Sequence, residues 1–144
     1  MNQKTDEQTL RQAMELLYFG YRAFTDAPDR ILEERALGRL HHRILYFVGR
    51  QPGISVTRLL NVLKITKQAL NAPLRQLMEM SLVAMATAAH DKRVRELTLT
   101  PSGKKLEAQL SGTQLKQLRE VFGQAGEEAR AGWLQVMKAL AASK

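Results

Sequence analysis

Four side chains at helical spacing, Lys67, Gln68, Asn71 and Arg75, carry the most specific recognition chemistry in this sequence. Glutamine and asparagine each pair with adenine through two hydrogen bonds, and arginine pairs with guanine, so the set suits a DNA major-groove edge. Lys67, one residue past a helix cap, suits a phosphate better than a base. The same residue types also populate solvated helix faces, and their setting must separate the two readings. A second group, Lys92, Arg93 and Arg95, surrounds a polar hairpin tip. A guanidinium there can enter a narrow, electronegative minor groove. Asp91 is near enough in the chain to pair with Arg93 and fix its direction; the plainer alternative is an exposed ion pair of little energetic weight. Ser55, Thr57 and Arg58 stand at a helix start, a place for phosphate contacts, although Ser55 is expected there as a cap in any case.

Other chemistry is sparse. There are no cysteines, which excludes disulfides, thiol catalysis and thiolate metal sites. His41 and His42 are adjacent on a helix, about 100° apart, and cannot jointly grip a metal from one face. His90 lies in the hairpin tip, and no HExxH or i, i+4 histidine pair exists, so neither metal nor cofactor is expected. Without a glycine-rich phosphate loop, nucleophile elbow or paired carboxylates, no enzymatic activity is expected.

The elements that must position these residues are legible from periodicity. Leu10, Met14, Leu17, Tyr21 and Phe24 share one helical face. Ala27-Pro28-Asp29 is expected to interrupt that helix, with a short helical stretch over 30–36 after it. Leu37, Leu40, Ile44, Phe47 and Val48 form a second stripe, closed by the Gln51-Pro52-Gly53 turn. Ser55 and Thr66 each look like an N-cap with a hydrophobic staple, Ile54 to Leu59 and Ile65 to Leu70. Helices over 56–63 and 67–80 are thus joined by a turn too short for one rod, a helix-turn-helix. Strands over 82–86 and 95–99 make a hairpin. Thr100-Pro101 then starts a helix lined by Leu106, Leu110, Leu115, Leu118 and Phe122, and a break near 123–126 precedes a last helix with Trp133, Met137 and Leu140 in register.

Charge singles out the middle of the chain. Between Arg50 and Lys105, ten Lys or Arg face three carboxylates, leaving +7 of the chain's net +8 between nearly neutral flanks. A basic block inside a patterned segment is the footprint of a polyanion-binding surface. The 144 residues suit one domain, and no apolar run approaches the roughly 18 residues of a membrane span. The polar first twelve residues lack the hydrophobic region of a secretory signal, so the expected location is cytoplasmic, on the nucleoid when DNA is bound.

Helix, helix-turn-helix and basic hairpin in that order predict a winged helix, in a mainly α (α+β) fold. The segment from Ser55 to Leu106 resembles the MarR family of bacterial transcriptional regulators. The most specific match is Asp91-x-Arg93 followed by Leu99-Thr100-Pro101-x-Gly103, with Ser81-Leu82-Val83 at the strand start. The resemblance implies a single MarR-type domain over 1–144, with the winged helix-turn-helix over 37–100 and dimerisation helices over 5–36 and 101–142. It implies a homodimer on a pseudo-palindromic double-stranded DNA operator, more often a repressor, released by a small-molecule effector. The family's ligand region, between dimer helices and winged domain, would fall on Tyr18, Tyr21, Arg22, Phe24 and Tyr46, a set suited to an aromatic or phenolic acid. Aromatics at this spacing are also ordinary core.

One departure stands out. Pro73 sits seven residues into the reading helix, removing the bond to the Ala69 carbonyl at a cost of ~3 kcal/mol in an ideal helix. A kink near 69–73, or a late regular start, is expected, and Ala72 replaces a residue that is often polar or basic in the family. These two positions keep open a protein-interaction adaptor or a nonspecific architectural DNA-binding protein.

Overall fold

The computed structural model describes residues 2–144. Helix α1 (Gln3–Glu34) is followed by a tight turn with Ala36 at φ +58° and by α2 (Arg39–Arg50). A two-residue strand, β1 (Ile54–Ser55), leads into α3 (Val56–Leu63) and α4 (Lys67–Glu79). The hairpin of β2 (Val83–Thr87) and β3 (Arg95–Leu99) precedes α5 (Pro101–Ala125) and α6 (Glu127–Ala142). The antiparallel sheet has the order β1-β3-β2, with Ile54 opposite Leu97 and Met85 opposite Leu97 from the other side. This is the winged helix expected from the motif order.

Hydroxyl caps set the starts of three helices. Ser55 Oγ accepts the Arg58 N–H at 3.0 Å, Thr66 Oγ1 accepts that of Ala69 at 3.1 Å, and Thr100 Oγ1 accepts that of Gly103 at 3.0 Å. Each satisfies a donor that the first helical turn leaves unpaired. Between α3 and α4 the chain turns through Lys64 in the left-handed region, φ +54°. The core is one cluster inside the winged unit, including Ile44, Leu45, Val48, Leu59, Leu70, Leu77 and Leu97, with Leu32 of α1 and Leu106 and Leu110 of α5 closing it. The first twenty residues of α1 and all of α6 contribute nothing buried to it.

The expectation for Pro28, and the late helix start offered for Pro73, need correction. Pro28 does not interrupt the first helix: α1 runs through it to Glu34. Of the stretch over 30–36, residues 30–34 are its C-terminal end rather than a separate element, and 35–36 belong to the turn that follows. Pro28 lacks the N–H that would bond the Phe24 carbonyl, and Gln114 Nε2 of α5 donates to that carbonyl instead, at 3.2 Å. Thr25, Pro28 and Leu32 form the buried stripe at this point, so packing holds both sides of the interruption. Pro73 likewise does not delay its helix, which starts at Lys67 under the Thr66 cap and continues to Glu79. Leu70, Leu74 and Leu77 are buried before and after the proline, and at roughly 1.5–3 kcal/mol per buried leucine they offset the lost bond. Smaller differences are that β2 begins one residue later than expected and that β1 is an addition.

Helix α5 is stitched to the start of β2. The Thr100 N–H donates to the Leu82 carbonyl at 3.1 Å and its hydroxyl to the Ser81 carbonyl at 2.6 Å. A Cβ on Gly103 would lie 1.9 Å from the Leu82 carbonyl oxygen, a contact that backbone cannot relieve without shifting. Only glycine permits this approach. Gly103→Ala is therefore expected to cost about 1–3 kcal/mol or more, read by urea unfolding at fixed protein concentration. Gln114→Ala should cost about 1 kcal/mol, and markedly less in a Pro28→Ala background, where a backbone N–H can serve the Phe24 carbonyl. Equal costs in the two backgrounds would refute the substitution of side chain for backbone.

Candidate nucleic-acid interface

Burial of Leu70, Leu74 and Leu77 turns the opposite face of α4 outward, and Lys67, Gln68, Asn71 and Arg75 are all exposed on it. None of the four makes a side-chain hydrogen bond among the described residues, so their donors and acceptors are available to a partner. At the start of α3, Thr57 and Arg58 are exposed, whereas Ser55 is half-buried with its oxygen engaged by the Arg58 N–H. Its hydroxyl hydrogen can still donate to an anion. Lys92, Arg93 and Arg95 are exposed on the wing, Arg95 at the base of β3 opposite Thr87.

The wing tip is internally braced. Asp91 Oδ1 accepts the backbone N–H of Arg93 at 3.0 Å and its Nε at 3.2 Å, while Oδ2 accepts Nη2 at 3.2 Å. The fork occupies two of the five guanidinium donors, and three remain. The Val94 N–H to Asp91 carbonyl and Ala88 N–H to Val94 carbonyl bonds close the turn beneath. With its side chain nine-tenths exposed, Arg93 projects from a fixed base. The hydrogen bonds from the Arg93 side chain and backbone hold the Asp91 carboxyl below its ordinary range.

A cavity of about 330 Å³ lies away from this surface, between the C-terminal part of α1, the middle of α5 and the outer face of α2. Tyr21, Phe24 and Tyr46 line it as expected, but Tyr18 and Arg22 do not. Arg22 stacks over the Tyr18 ring, 5.8 Å from its centroid, and borders a separate depression with Phe19 and Asp26. The cavity's cations are Arg39 and Arg43 instead. Arg39 is paired with Asp29 at 2.9 Å, and Arg43 donates to the Tyr21 hydroxyl at 2.8 Å. The signal was present in the sequence: Arg39, His42, Arg43 and Tyr46 follow i, i+3, i+4, i+7, a polar stripe beside the apolar one on α2.

His42 is half-buried on the cavity wall, and burial pushes its pKa down, with Arg43 adding to the effect and Asp29 opposing it. Its Nε2 lies 3.3 Å from Ser111 Oγ, which donates to Glu107 at 3.1 Å. A serine, a histidine and a carboxylate meet here in the wrong order for hydrolysis, because the acid engages the serine rather than orienting the imidazole.

Residues 37–94 match the sequence profile of the MarR family. The chain is 46% identical over 136 residues to the HTH-type transcriptional regulator PetP of Rhodobacter capsulatus, covering 94% of this chain and 81% of that one. Its fold is similar to that of Staphylococcus aureus MepR in a DNA complex (TM-score 0.71, 20% identity, 90% of this chain and 97% of that chain). It is also similar to Staphylococcus aureus MarR in complex with salicylate and kanamycin (TM-score 0.75, 20% identity, 94% and 92% of the two chains).

A depressed Asp91 value means that the wing brace holds the ionised carboxylate. The brace is intact above the ordinary aspartate range and is released only as pH falls through Asp91's own lower midpoint. An NMR pH titration of the Arg93 amide should report that midpoint, and Asp91→Asn should abolish the step.

Proposed function

The chain belongs to the MarR family, and we propose on that premise that it is a sequence-specific DNA-binding repressor, acting as a homodimer on a pseudo-palindromic operator. The observation that carries this reading is the outward face of α4: four unengaged polar side chains on a helix whose other face is fixed by buried leucines. Gln68, Asn71 and Arg75 read base edges in the major groove. Lys67, Ser55, Thr57 and Arg58 take phosphates, and Arg93 enters the flanking minor groove with Lys92 and Arg95 beside it. Two-fold symmetry sets the half-sites about 34 Å apart. The winged unit over 37–100 does the reading, and the regions 5–36 and 101–142 hold the dimer.

Exposed apolar side chains support the dimer. Leu10, Met14, Leu17 and Phe19 on α1, with Trp133, Leu134 and Val136 on α6, are each between 42% and 69% exposed. Solvated apolar surface this extensive marks an interaction face. The cavity beside α2 is the effector site in this reading, suited by its aromatic walls and two guanidiniums to an aromatic carboxylate, the chemistry of the salicylate bound by the Staphylococcus aureus relative. Its location is cytoplasmic, on the nucleoid when bound, and it performs no catalysis.

Fluorescence-anisotropy titration against the protein's own upstream DNA and a scrambled duplex, across a salt series, tests the function. The expected result is a preference of about two orders of magnitude or more, with a log–log salt slope of about −0.9 per phosphate engaged. Arg93→Ala should lower operator affinity about tenfold. Equal, salt-sensitive binding to both duplexes would indicate an architectural protein, and no binding at low salt an adaptor. Replacing Leu17 with Glu should convert a dimer into monomers in sedimentation analysis and weaken operator binding with it.

A further inference from the structure

Behind the reading face of α4, two hydrogen bonds tie the helix to the corner between α1 and α2, and a third braces the corner itself. His41 Nδ1 accepts the Gly38 N–H at 2.9 Å, so the proton of the neutral ring sits on Nε2. That N–H donates to Gln76 Oε1 at 2.9 Å, and Gln76 Nε2 donates in turn to the Ala36 carbonyl at 3.4 Å. Each bond in the set pairs a donor with an acceptor, and the two ends, Ala36 and Gly38, lie on either side of Leu37 in the turn. We propose that Gln76 and His41 are positioning residues that set the aim of the reading helix from the α1–α2 corner.

Two features carry this beyond a local cap. The leucines that seat α4 are apolar, and apolar contact is non-directional: it resists lifting the helix more than it resists rotation about its axis. The Gln76 amide supplies the missing directional restraint, one residue from Arg75 and on the same turn as Pro73, where the backbone ladder is interrupted. The corner is also a strained point, with Ala36 at φ +58°. It is shared with the cavity, because His42, next to His41, and Arg39 and Asp29 line that space. A shift of the corner therefore moves α4 through Gln76, and a base-reading helix that is misaimed loses base contacts before it loses phosphates.

The inference rests on the regulator reading, and one set of titrations separates the two. Full-length protein and its Gln76→Met, His41→Leu and double variants are titrated with the upstream and scrambled duplexes. Methionine keeps the length of glutamine and removes both hydrogen bonds. The expected result is about a tenfold loss of affinity for the upstream duplex, unchanged affinity for the scrambled one, and a double variant no weaker than either single. A merely structural role would lower both affinities together, and that result, or an unchanged preference in Gln76→Met, overturns the proposal. Should Gln76→Met fold poorly, Gln76→Glu keeps the acceptor for His41 and loses only the Ala36 bond. Its preference should fall between those of wild type and His41→Leu, and a wild-type preference overturns the proposal. Wild-type protein that fails to distinguish the duplexes overturns the regulator reading, and the proposal with it.

Discussion

The approach of α5 to the carbonyl of Leu82 is the constraint on which the other placements depend. Gly103 offers only hydrogen at a point where a methyl group would sit 1.9 Å from that oxygen. Thr100, bonded to both Ser81 and Leu82, fixes the angle at which the helix leaves the sheet. From that angle Leu106 and Leu110 reach the core, and Gln114 arrives at the Phe24 carbonyl in time to repair the gap that Pro28 makes in α1. The wing and the long helices are thus oriented by the same few backbone atoms. The motif Leu99-Thr100-Pro101-x-Gly103 is a packing device before it is anything else.

Around that frame, charge and polarity are divided by place. The basic residues on α3, α4 and the wing stay solvated, so holding their charge costs the fold little desolvation. Inside the cavity, Arg39 is met by Asp29 and Arg43 by the Tyr21 hydroxyl, and burial favours the neutral form of His42. Both cavity arginines are engaged by the protein itself, whereas on α3, α4 and the wing only Arg93, held by Asp91, is so engaged among the described residues; in the proposed function the two sets serve different ligands.

Most of the fold was legible because it rests on local rules. Ser55, Thr66 and Thr100 announced their helices, and each is seen accepting the expected N–H. The face of α4 followed from the spacing of Leu70, Leu74 and Leu77. The misreadings share one cause, which is that the deciding partner lies far away in sequence. Pro28 reads as a break because Gln114, which compensates it, is 86 positions further on. β1 is two residues long and exists only through its pairing with β3, so it has no period to detect. The expected pocket joined its aromatic residues to Arg22 of α1, whereas the guanidiniums on the cavity are Arg39 and Arg43 of α2, brought there by the packing of α2 between α1 and α5. His41 and His42 meet Gln76 and Ser111, neighbours that could be identified only in three dimensions.

Helix α1 carries exposed apolar side chains on more than one face: Leu10, Met14 and Leu17 along one side, Phe19 on the other. A helix of that kind gains little from standing alone in water. In the proposed dimer its burial depends on meeting a second chain, so its order is governed by mass action. The abundance of the protein then becomes an input of its own. Falling copy number would loosen the arms that space the two reading helices, and the response of a promoter would steepen with protein concentration without any change in the residues that touch DNA.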